Sequence, residues 1–310
     1  MANSTALVFP GMGPSAFADV GRFMVVNPYA RKLVAVADEV LGYSLVDTFR
    51  EAEGDYSEAA QVAFLVNCLA CAQWAVDQLD IEPEVCAGPS FGEKAAVAFA
   101  GGLPVDEAIR MTAELARLLE DWFSREHRDI VTLSFVRVRE EQLREILAEL
   151  DERGEWHEIS SYVDEDFVML SLGEERVEWL SGRLRAVGGM PLYTMRPPMH
   201  CAAFGGLRDR AEAEVLSTLT FTDPGCRSSP TRTAPCCTPP RAAHDAARQL
   251  RTPHELAECR RRVEGLRCRA GLRRRSGQPV RPGRRDHGQL RGPGRQPRLA
   301  MTPRRRSGAA

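Results

Sequence analysis

A serine flanked by two glycines is the residue of this sequence best suited to nucleophilic chemistry. In the run GPSFG, residues 88–92, Ser90 is the centre of a G-x-S-x-G pattern. A serine held in a sharp strand-to-helix turn leaves no room for bulky neighbours, which explains a glycine on either side. Its hydroxyl then lies at the positive end of the helix, where the Phe91 amide can donate to a developing oxyanion. Ser90 is therefore a candidate nucleophile, the alternative being an ordinary turn residue.

A serine nucleophile needs a general base, and His200 is the candidate. It follows a predicted strand and a Pro-Pro turn in the segment MRPPMHCAAF, which is a rigid place to hold an imidazole. An isolated histidine is more often a satisfied, partly buried side chain, and that alternative stays open. The presence of Ser90 favours the general base.

The elements that must position these residues follow an α/β pattern. The run TALVFPG predicts a buried strand that enters a Gly-rich turn, and PEVCAGPS predicts a second strand that ends at Ser90. The run GEKAAVAFAGG predicts the helix that follows. A long apolar helix is predicted around Cys68, and because Cys68 and Cys71 both lie within it, a redox role for this C-x-x-C pair is disfavoured.

A second pattern begins at Ile130. Strand, helix, two paired strands, helix and strand follow one another as far as the run MPLYTM. This β-α-β-β-α-β order is typical of a ferredoxin-like unit. We therefore predict a large α/β domain over residues 1–128, a ferredoxin-like small domain over 129–195, and a return to the large domain, with the catalytic histidine, over 196–224.

Residues 225–310 differ in composition from the rest of the chain. They hold 22 Arg, no Lys and 5 acidic residues, a net charge of +17, whereas residues 1–224 carry 19 basic and 38 acidic side chains. Such a segment cannot bury enough apolar surface to offset its ordering entropy. One interpretation is a basic tail for nucleic acid or a membrane surface. We favour a frame-shift product, because permitted codons for two of its stretches spell ordinary strand and turn sequence when read in shifted frames, one in each direction.

The bulk composition is typical of a globular protein. The 310 residues are 44% hydrophobic and 27% charged, enough to bury a sizeable core. No apolar run reaches the roughly 18 residues of a membrane span, and the start MANSTALVFPGMG lacks the features of a secretion signal. We expect a soluble cytoplasmic protein with reduced cysteines, no bound metal or cofactor, and neither nucleic acid nor membrane as a partner.

Three motifs resemble those of malonyl-CoA:carrier-protein transacylases and polyketide-synthase acyltransferase domains. VFPGMGPS is similar to F-P-G-Q-G-S/T, AGPSFGEKAAVAFAGGL to G-H-S-L-G-E-Y-A-A-L-x-x-A-G-x-L, and PPMHCAAF to V-P-x-H-C/S-x-L-M. The motifs fall in the family's order, and the resemblance covers about residues 5–223. It implies an α/β-hydrolase-like large domain with an inserted ferredoxin-like small domain.

The resemblance also implies a function. Ser90 would take an acyl group from one thioester, His200 would shuttle the proton, and the phosphopantetheine thiol of an acyl carrier protein would then remove the acyl group. Phosphopantetheine, or coenzyme A, is here a substrate and not a bound cofactor. The backbone amides of Met12 and Phe91 would form the oxyanion hole, and backbone carbonyls of the C-terminal segment would orient His200.

Departures from the family pattern predict the acyl group. Malonyl-specific members carry an arginine that pairs with the free carboxylate, and alignment places Leu115 on it and Arg110 on an earlier arginine. Burying a malonyl carboxylate against leucine would cost several kcal/mol. Leu115, Met195 and Met199, together with Met12, would instead line an apolar pocket. This resembles discrete transacylases that hand a neutral aminoacyl or dipeptidyl starter to macrolactam synthases.

Other functions remain open. A malonyl transacylase of fatty-acid or polyketide synthesis, an editing hydrolase of the same family, and a non-catalytic scaffold or pseudo-enzyme are the alternatives. A carrier protein is acidic and needs a local basic patch, for which Arg183, Arg185 and Arg196 are candidates, although a solvated face is the better explanation for each of them.

Overall fold

The computed structural model describes residues 5–164 and 166–223. They form a large α/β domain and a small ferredoxin-like domain, which confirms the predicted fold class. The basic segment 225–310, and with it the frame-shift hypothesis, lies outside the described residues.

Two parallel strands position the site in the large domain. Strand β1 (Thr5–Val8) pairs with strand β2 (Pro83–Ala87), with Leu7 opposite Cys86. Parallel strands end at the same edge of a sheet, so the loop after β1 and the turn after β2 emerge side by side. The Phe9 amide continues this pairing by donating to the Ala87 carbonyl at 2.8 Å.

Six helices build the core around this strand pair. Their starts follow ordinary capping rules: the Asn27 side chain accepts from two amides at the start of α2, and the Ser57 hydroxyl accepts from Ala60 at the start of α4. The helices are α1 (Phe17–Val26), α2 (Pro28–Leu41), α3 (Leu45–Glu51), α4 (Glu58–Leu79), α5 (Gly92–Phe99) and α6 (Val105–Arg125).

Helix α4 corrects one expectation from the sequence. Its 22 residues have a mean hydropathy of 1.5 over an 18-residue window, so by length and composition it could span a membrane, contrary to the expectation that no run would. In the structure 61% of that window is buried inside the protein. The helix is apolar on most sides because α2, α3, α5 and α6 pack around it, and a helix apolar all round is typical of a buried core position.

The small domain is a four-stranded antiparallel sheet with two helices on one face. Its strand order is β4-β5-β3-β6, the ferredoxin-like arrangement that the sequence predicted. The strands are β3 (Ile130–Val136), β4 (His157–Asp164), β5 (Phe167–Gly173) and β6 (Met190–Met195). The helices are α7 (Glu140–Glu152) and α8 (Val177–Ala186).

The two faces of this sheet differ in chemistry. Along β3, Val131, Leu133 and Phe135 pack in one apolar cluster with residues of α7 and α8. The alternate residues Thr132 and Ser134 are also fully buried, on the opposite face, because successive side chains of a strand point in opposite directions. This second face carries hydroxyl groups that reach toward the segment after β6, which ends in helix α9 (Gly205–Glu214).

Candidate active site

Ser90 lies in a sharp turn between β2 and α5. Its backbone is left-handed, with φ of +50°, and Phe91 is the N-cap of α5. The Gly92 amide donates to the Pro89 carbonyl at 2.9 Å, and the Glu93 amide donates to the Ser90 carbonyl at 3.1 Å. A left-handed non-glycine residue in a strand-to-helix turn is the geometry of a nucleophile elbow.

The two glycines of the motif are required by close backbone contacts. A Cβ at Gly88 would lie 2.5 Å from the backbone of Gly92, and a Cβ at Gly92 would lie 2.5 Å from the Phe9 carbonyl oxygen. Neither contact is compatible with a side chain. The same packing brings the loop after β1 against the turn that carries Ser90.

Ser90 and His200 are brought together across 110 residues of sequence. The Ser90 Oγ lies 2.8 Å from the His200 Nε2, within hydrogen-bond distance. His200 is 8% exposed and has a left-handed backbone, with φ of +63°. The pair has the distance that a general base needs to accept the proton of a serine hydroxyl.

Side chains of the small domain hold the loop that follows His200. The Glu158 carboxylate accepts from the Ala202 amide at 2.6 Å and from the Ala203 amide at 3.5 Å. A carboxylate on backbone amides is a charge-assisted hydrogen bond, about twice as strong as a neutral one. Glu158 was not among the residues predicted from the sequence, because it lies more than 40 positions before the loop that it holds.

A chain of hydroxyl groups reaches the same loop. Ser171 Oγ lies 2.6 Å from both Thr132 Oγ1 and Ser160 Oγ, and Ser160 Oγ lies 3.4 Å from the Cys201 Sγ. The Cys201 thiol donates to the Met199 carbonyl at 3.6 Å, and burial raises its pKa to about 11, so it remains a neutral donor. These four polar side chains connect the small-domain sheet to the backbone on both sides of His200.

The predicted oxyanion-hole amides are available for a ligand. Within residues 5–164 and 166–223, neither the Met12 nor the Phe91 amide donates to a backbone carbonyl. The Phe91 ring is held by an edge-to-face contact with Phe64 at 5.2 Å between centroids. Met12 and Phe91 both line the cavity that contains Ser90.

That cavity is largely apolar and encloses about 1270 Å³, counted out to the solvent at its mouth. Helix α6 supplies one wall through Met111, Leu115 and Leu118. The predicted pocket residues Leu115, Met195 and Met199 all lie in its lining, whereas Arg110 is exposed and pairs with Glu107 outside it.

Four polar residues of the lining were not predicted from the sequence: Tyr56, Gln61, Glu93 and Lys94. Gln61 is 4% exposed and donates to the Tyr56 carbonyl at 2.9 Å. Tyr56 itself and Lys94 also line the cavity. Lys94 was within a quoted motif, where it replaces a tyrosine of the family pattern, and that substitution was the signal that could have identified it.

The candidate basic patch is only partly available to a partner. Arg183 forms an ion pair with Glu149, and Arg196 forms one with Glu174. Arg185 is exposed on helix α8. Two of the three arginines therefore have their charge balanced by a glutamate of the small domain.

Two other kinds of site are disfavoured within the described residues, a redox pair of cysteines and a metal centre. Cys68 and Cys71 are free thiols on α4, and burial raises the pKa of Cys68 to about 12, so the thiolate needed for redox chemistry is not formed at neutral pH. No group of three or more His, Cys, Asp or Glu within the described part of the chain could hold a metal ion.

Comparison with known proteins finds similarity to acyltransferases. Residues 134–195 match the family model of the VinK acyltransferase small domain. Over 123 residues the chain is 29% identical to a probable mitochondrial malonyl-CoA-acyl carrier protein transacylase of Drosophila melanogaster, an alignment that covers 38% of this chain and 32% of that protein. The chain thus spans about a third of the length of the curated relative that it matches.

Solved structures share the fold over most of the chain. A malonyl-transacylase in complex with a type II polyketide acyl-carrier protein matches with a TM-score of 0.67 and 23% identity, covering 81% of this chain and 82% of that one. The malonyl CoA-acyl carrier protein transacylase of Coxiella burnetii matches with a TM-score of 0.68 and 19% identity, covering 85% and 84%.

The large α/β domain with its ferredoxin-like small domain is the fold shared with these solved acyltransferase structures. The chain is similar to malonyl-CoA:acyl carrier protein transacylases, and its residues 134–195 match the small domain of the VinK type.

Proposed function

We propose that this protein is an acyltransferase that moves an acyl group, through an ester on Ser90, to the phosphopantetheine thiol of an acyl carrier protein. The observation that carries the proposal is the 2.8 Å contact between Ser90 Oγ and His200 Nε2 at the end of an apolar cavity. The relatives named above act on malonyl thioesters and carrier proteins by their descriptions, which supports the same class of substrates here. The free thiols of α4 fit a reducing compartment, and we place the reaction in the cytoplasm.

The first half-reaction forms the acyl-enzyme. His200 Nε2 accepts the proton of the Ser90 hydroxyl while the oxygen attacks the thioester carbonyl, and the negative charge on the carbonyl oxygen is stabilised by the free amides of Met12 and Phe91. The tetrahedral intermediate collapses as the carbon–sulfur bond breaks. The departing thiolate takes the proton from His200, which leaves the acyl group as an ester on Ser90.

The second half-reaction reverses these steps with another thiol. His200 accepts the proton of the carrier thiol, the sulfur attacks the ester, and Ser90 Oγ leaves with the proton held by His200. The enzyme ends the reaction with the charge and oxidation state in which it began. Ser90, His200 and the two backbone amides therefore suffice for the transfer. The long phosphopantetheine arm would deliver the thiol through the mouth of the cavity.

The test is a single-turnover acylation of the full chain. We expect a burst of one acyl group per Ser90, located by mass spectrometry, followed by its appearance on added holo carrier protein. Ser90→Ala removes the burst, and Ser217→Ala, an exposed serine, leaves it unchanged. Free acid in place of acyl-carrier product would identify an editing hydrolase, and a folded wild-type protein with no burst from any donor would identify a non-catalytic scaffold.

We further propose that the acyl group is neutral, aminoacyl or dipeptidyl, and larger than malonyl. Support comes from helix α6, which presents Leu115 to the cavity at the position of the family's carboxylate-binding arginine. Met12, Met195 and Met199 add unbranched, adaptable side chains to the same cavity. A malonyl carboxylate would lie among these groups without a partner on α6, which disfavours its binding.

Replacing Leu115 tests this specificity. Leu115→Arg supplies a bidentate carboxylate partner, so we expect malonyl-CoA acylation to rise at least about tenfold. Glu120→Arg, on the exposed side of the same helix, is the control for an added positive charge and should have no effect. Malonyl transfer by the wild type as fast as that of neutral acyl donors would contradict the proposal.

A further inference from the structure

Lys94 is an unusual residue in a largely apolar cavity. The chain has two lysines and 39 arginines, and Lys32, the other lysine, is exposed on α2. Lys94 instead lines the cavity that contains Ser90, with its Nζ 4.7 Å from the centroid of the Phe91 ring. Among the described lining residues, it is the one side chain of the Lys and Arg class.

The charge of Lys94 has no carboxylate partner within the described residues. The ion pairs found there involve arginines and a histidine and leave Lys94 out, and its described contact is with the face of the Phe91 ring. Burial lowers the pKa of Lys94 to about 8, as expected of an ammonium group that has lost water without gaining a counter-charge. A half-buried donor of this kind is stabilised by an acceptor oxygen that enters the cavity.

Its position relative to Ser90 is fixed by helix α5. Lys94 is four residues after Ser90 and two after Gly92, the first residue of the helix, so the two residues lie close in sequence at the start of α5. Helix α6, with Leu115, forms a separate and apolar part of the lining. The cavity therefore has a cationic donor on the helix that follows the nucleophile, and apolar groups on α6, at the position where the family pattern has an arginine.

We propose that Lys94 binds an acceptor oxygen on the acyl chain, an amide carbonyl or a carboxylate, and so selects acyl groups that carry such an oxygen over plain alkyl groups. This inference rests on the proposed acyl transfer to Ser90. The amide carbonyl is the expected source, because the acyl group proposed above is neutral. A dipeptidyl group supplies an amide carbonyl of this kind.

Three donors of matched size test the proposal. N-acetylglycyl-CoA carries an amide carbonyl, succinyl-CoA carries a carboxylate, and 4-methylpentanoyl-CoA replaces both by alkyl groups with the same number of non-hydrogen atoms. The kcat/KM of Ser90 acylation is measured for each with the full chain. The variants are Lys94→Met, which keeps the length of the side chain, Lys94→Gln, which keeps a donor without charge, and the exposed control Lys32→Met.

We expect the wild type and Lys32→Met to prefer N-acetylglycyl over 4-methylpentanoyl by about tenfold or more, because an unmade buried hydrogen bond costs that much. Lys94→Met should reduce this ratio to about one, chiefly by slowing the N-acetylglycyl donor. Lys94→Gln should retain part of the preference. This result would show that the loss in Lys94→Met does not come from general damage to the cavity.

The other outcomes separate the two proposals. An alkyl donor used as fast as the other two by the wild type, or a ratio unchanged in Lys94→Met, would overturn the role of Lys94 while leaving acyl transfer intact. A preference for succinyl that Lys94→Met abolishes would support Lys94 and overturn the neutral acyl group. The absence of acylation by every donor would overturn the proposed function itself.

Discussion

Ser90 and His200 are held in place by two different kinds of support. Ser90 is fixed by its own backbone: the turn packs so closely that Gly88 lies against Gly92, and Gly92 against the Phe9 carbonyl. No side chain of another domain is needed. The position of the hydroxyl therefore depends on steric exclusion between backbone atoms, which leaves little freedom to adjust.

His200 is fixed by side chains of the other domain. Glu158 accepts from the amides of Ala202 and Ala203, and Ser160 contacts the Cys201 thiol. Hydrogen bonds of this kind are directional but can be changed one at a time. Acylation should therefore fall abruptly when the support of Ser90 is altered, and by degrees when the support of His200 is altered.

The largest effect is expected from Gly92→Ala. Its Cβ would lie 2.5 Å from the Phe9 carbonyl oxygen, so the turn must shift, at a cost of about 3 kcal/mol in the free energy of unfolding. We expect Ser90 acylation to fall by at least about a hundredfold, because small displacements of reacting groups have effects of that size. Acylation rate and urea unfolding are the measurements.

Gly182→Ala is the matched control. No atom lies within 4 Å of its added Cβ, and it lies within helix α8, so alanine should stabilise the protein by about 0.5–1 kcal/mol. If Gly92→Ala acylates as fast as Gly182→Ala, the steric account of the elbow is wrong.

Glu158→Ala should have the next largest effect on acylation, and it should act only through the position of His200. Loss of the carboxylate frees the Ala202 amide and the loop after His200, so we expect kcat for acylation to fall about thirtyfold with KM nearly unchanged. Glu158→Gln keeps an acceptor without the charge and should recover part of the rate. The separation of kcat from KM distinguishes a positioning effect from a loss of substrate binding.

The control for this change is Glu178→Ala, an exposed glutamate of the same domain, which should retain the wild-type rate. An equal loss of rate in Glu158→Ala and Glu178→Ala would mean that the contact with the loop does not position His200.

Features that depend on residues close together in sequence could be predicted. The support of Ser90 is local, so five consecutive residues and the flanking strand and helix patterns were enough to predict it. The small domain was predictable for a similar reason, because its β-α-β-β-α-β order appears in hydrophobic periodicity along one stretch, 130–195.

The support of His200 was not predictable in this way. Glu158 and Ser160 lie in strand β4, and the contact with the segment after His200 exists only once β4 and β6 are placed in one folded domain. Alternation along a strand predicts which residues share a face, but not which loop of another domain covers it. Lys94 was hidden for a different reason, since a lysine near a helix start is ordinarily a solvated residue.

Ser171→Ala should affect stability more than rate. Ser171 Oγ lies 2.6 Å from both Thr132 and Ser160, so its loss leaves two buried hydroxyls short of a partner, at a cost of about 2 kcal/mol. The acylation rate should stay within about threefold of the wild type, because Glu158 still holds the loop. Urea unfolding measures the first quantity and single-turnover kinetics the second.

A double variant sharpens this prediction. The double variant Ser171→Ala/Thr132→Val should lose much less free energy of unfolding than the sum of the losses in the two single variants. Both changes remove the same hydrogen bond. Fully additive free energies would show that the hydroxyl chain does not act as a connected unit.

Cys201→Ala should have the smallest effect. Its thiol contacts are long, 3.4 Å to Ser160 Oγ and 3.6 Å to the Met199 carbonyl, and a thiol is a weak donor. We expect a loss of about 1 kcal/mol in the free energy of unfolding from the small cavity that is left, and an acylation rate within about twofold of the wild type. If Cys201→Ala slows acylation as strongly as Glu158→Ala, the histidine is held through the hydroxyl chain, and the carboxylate is not its principal anchor.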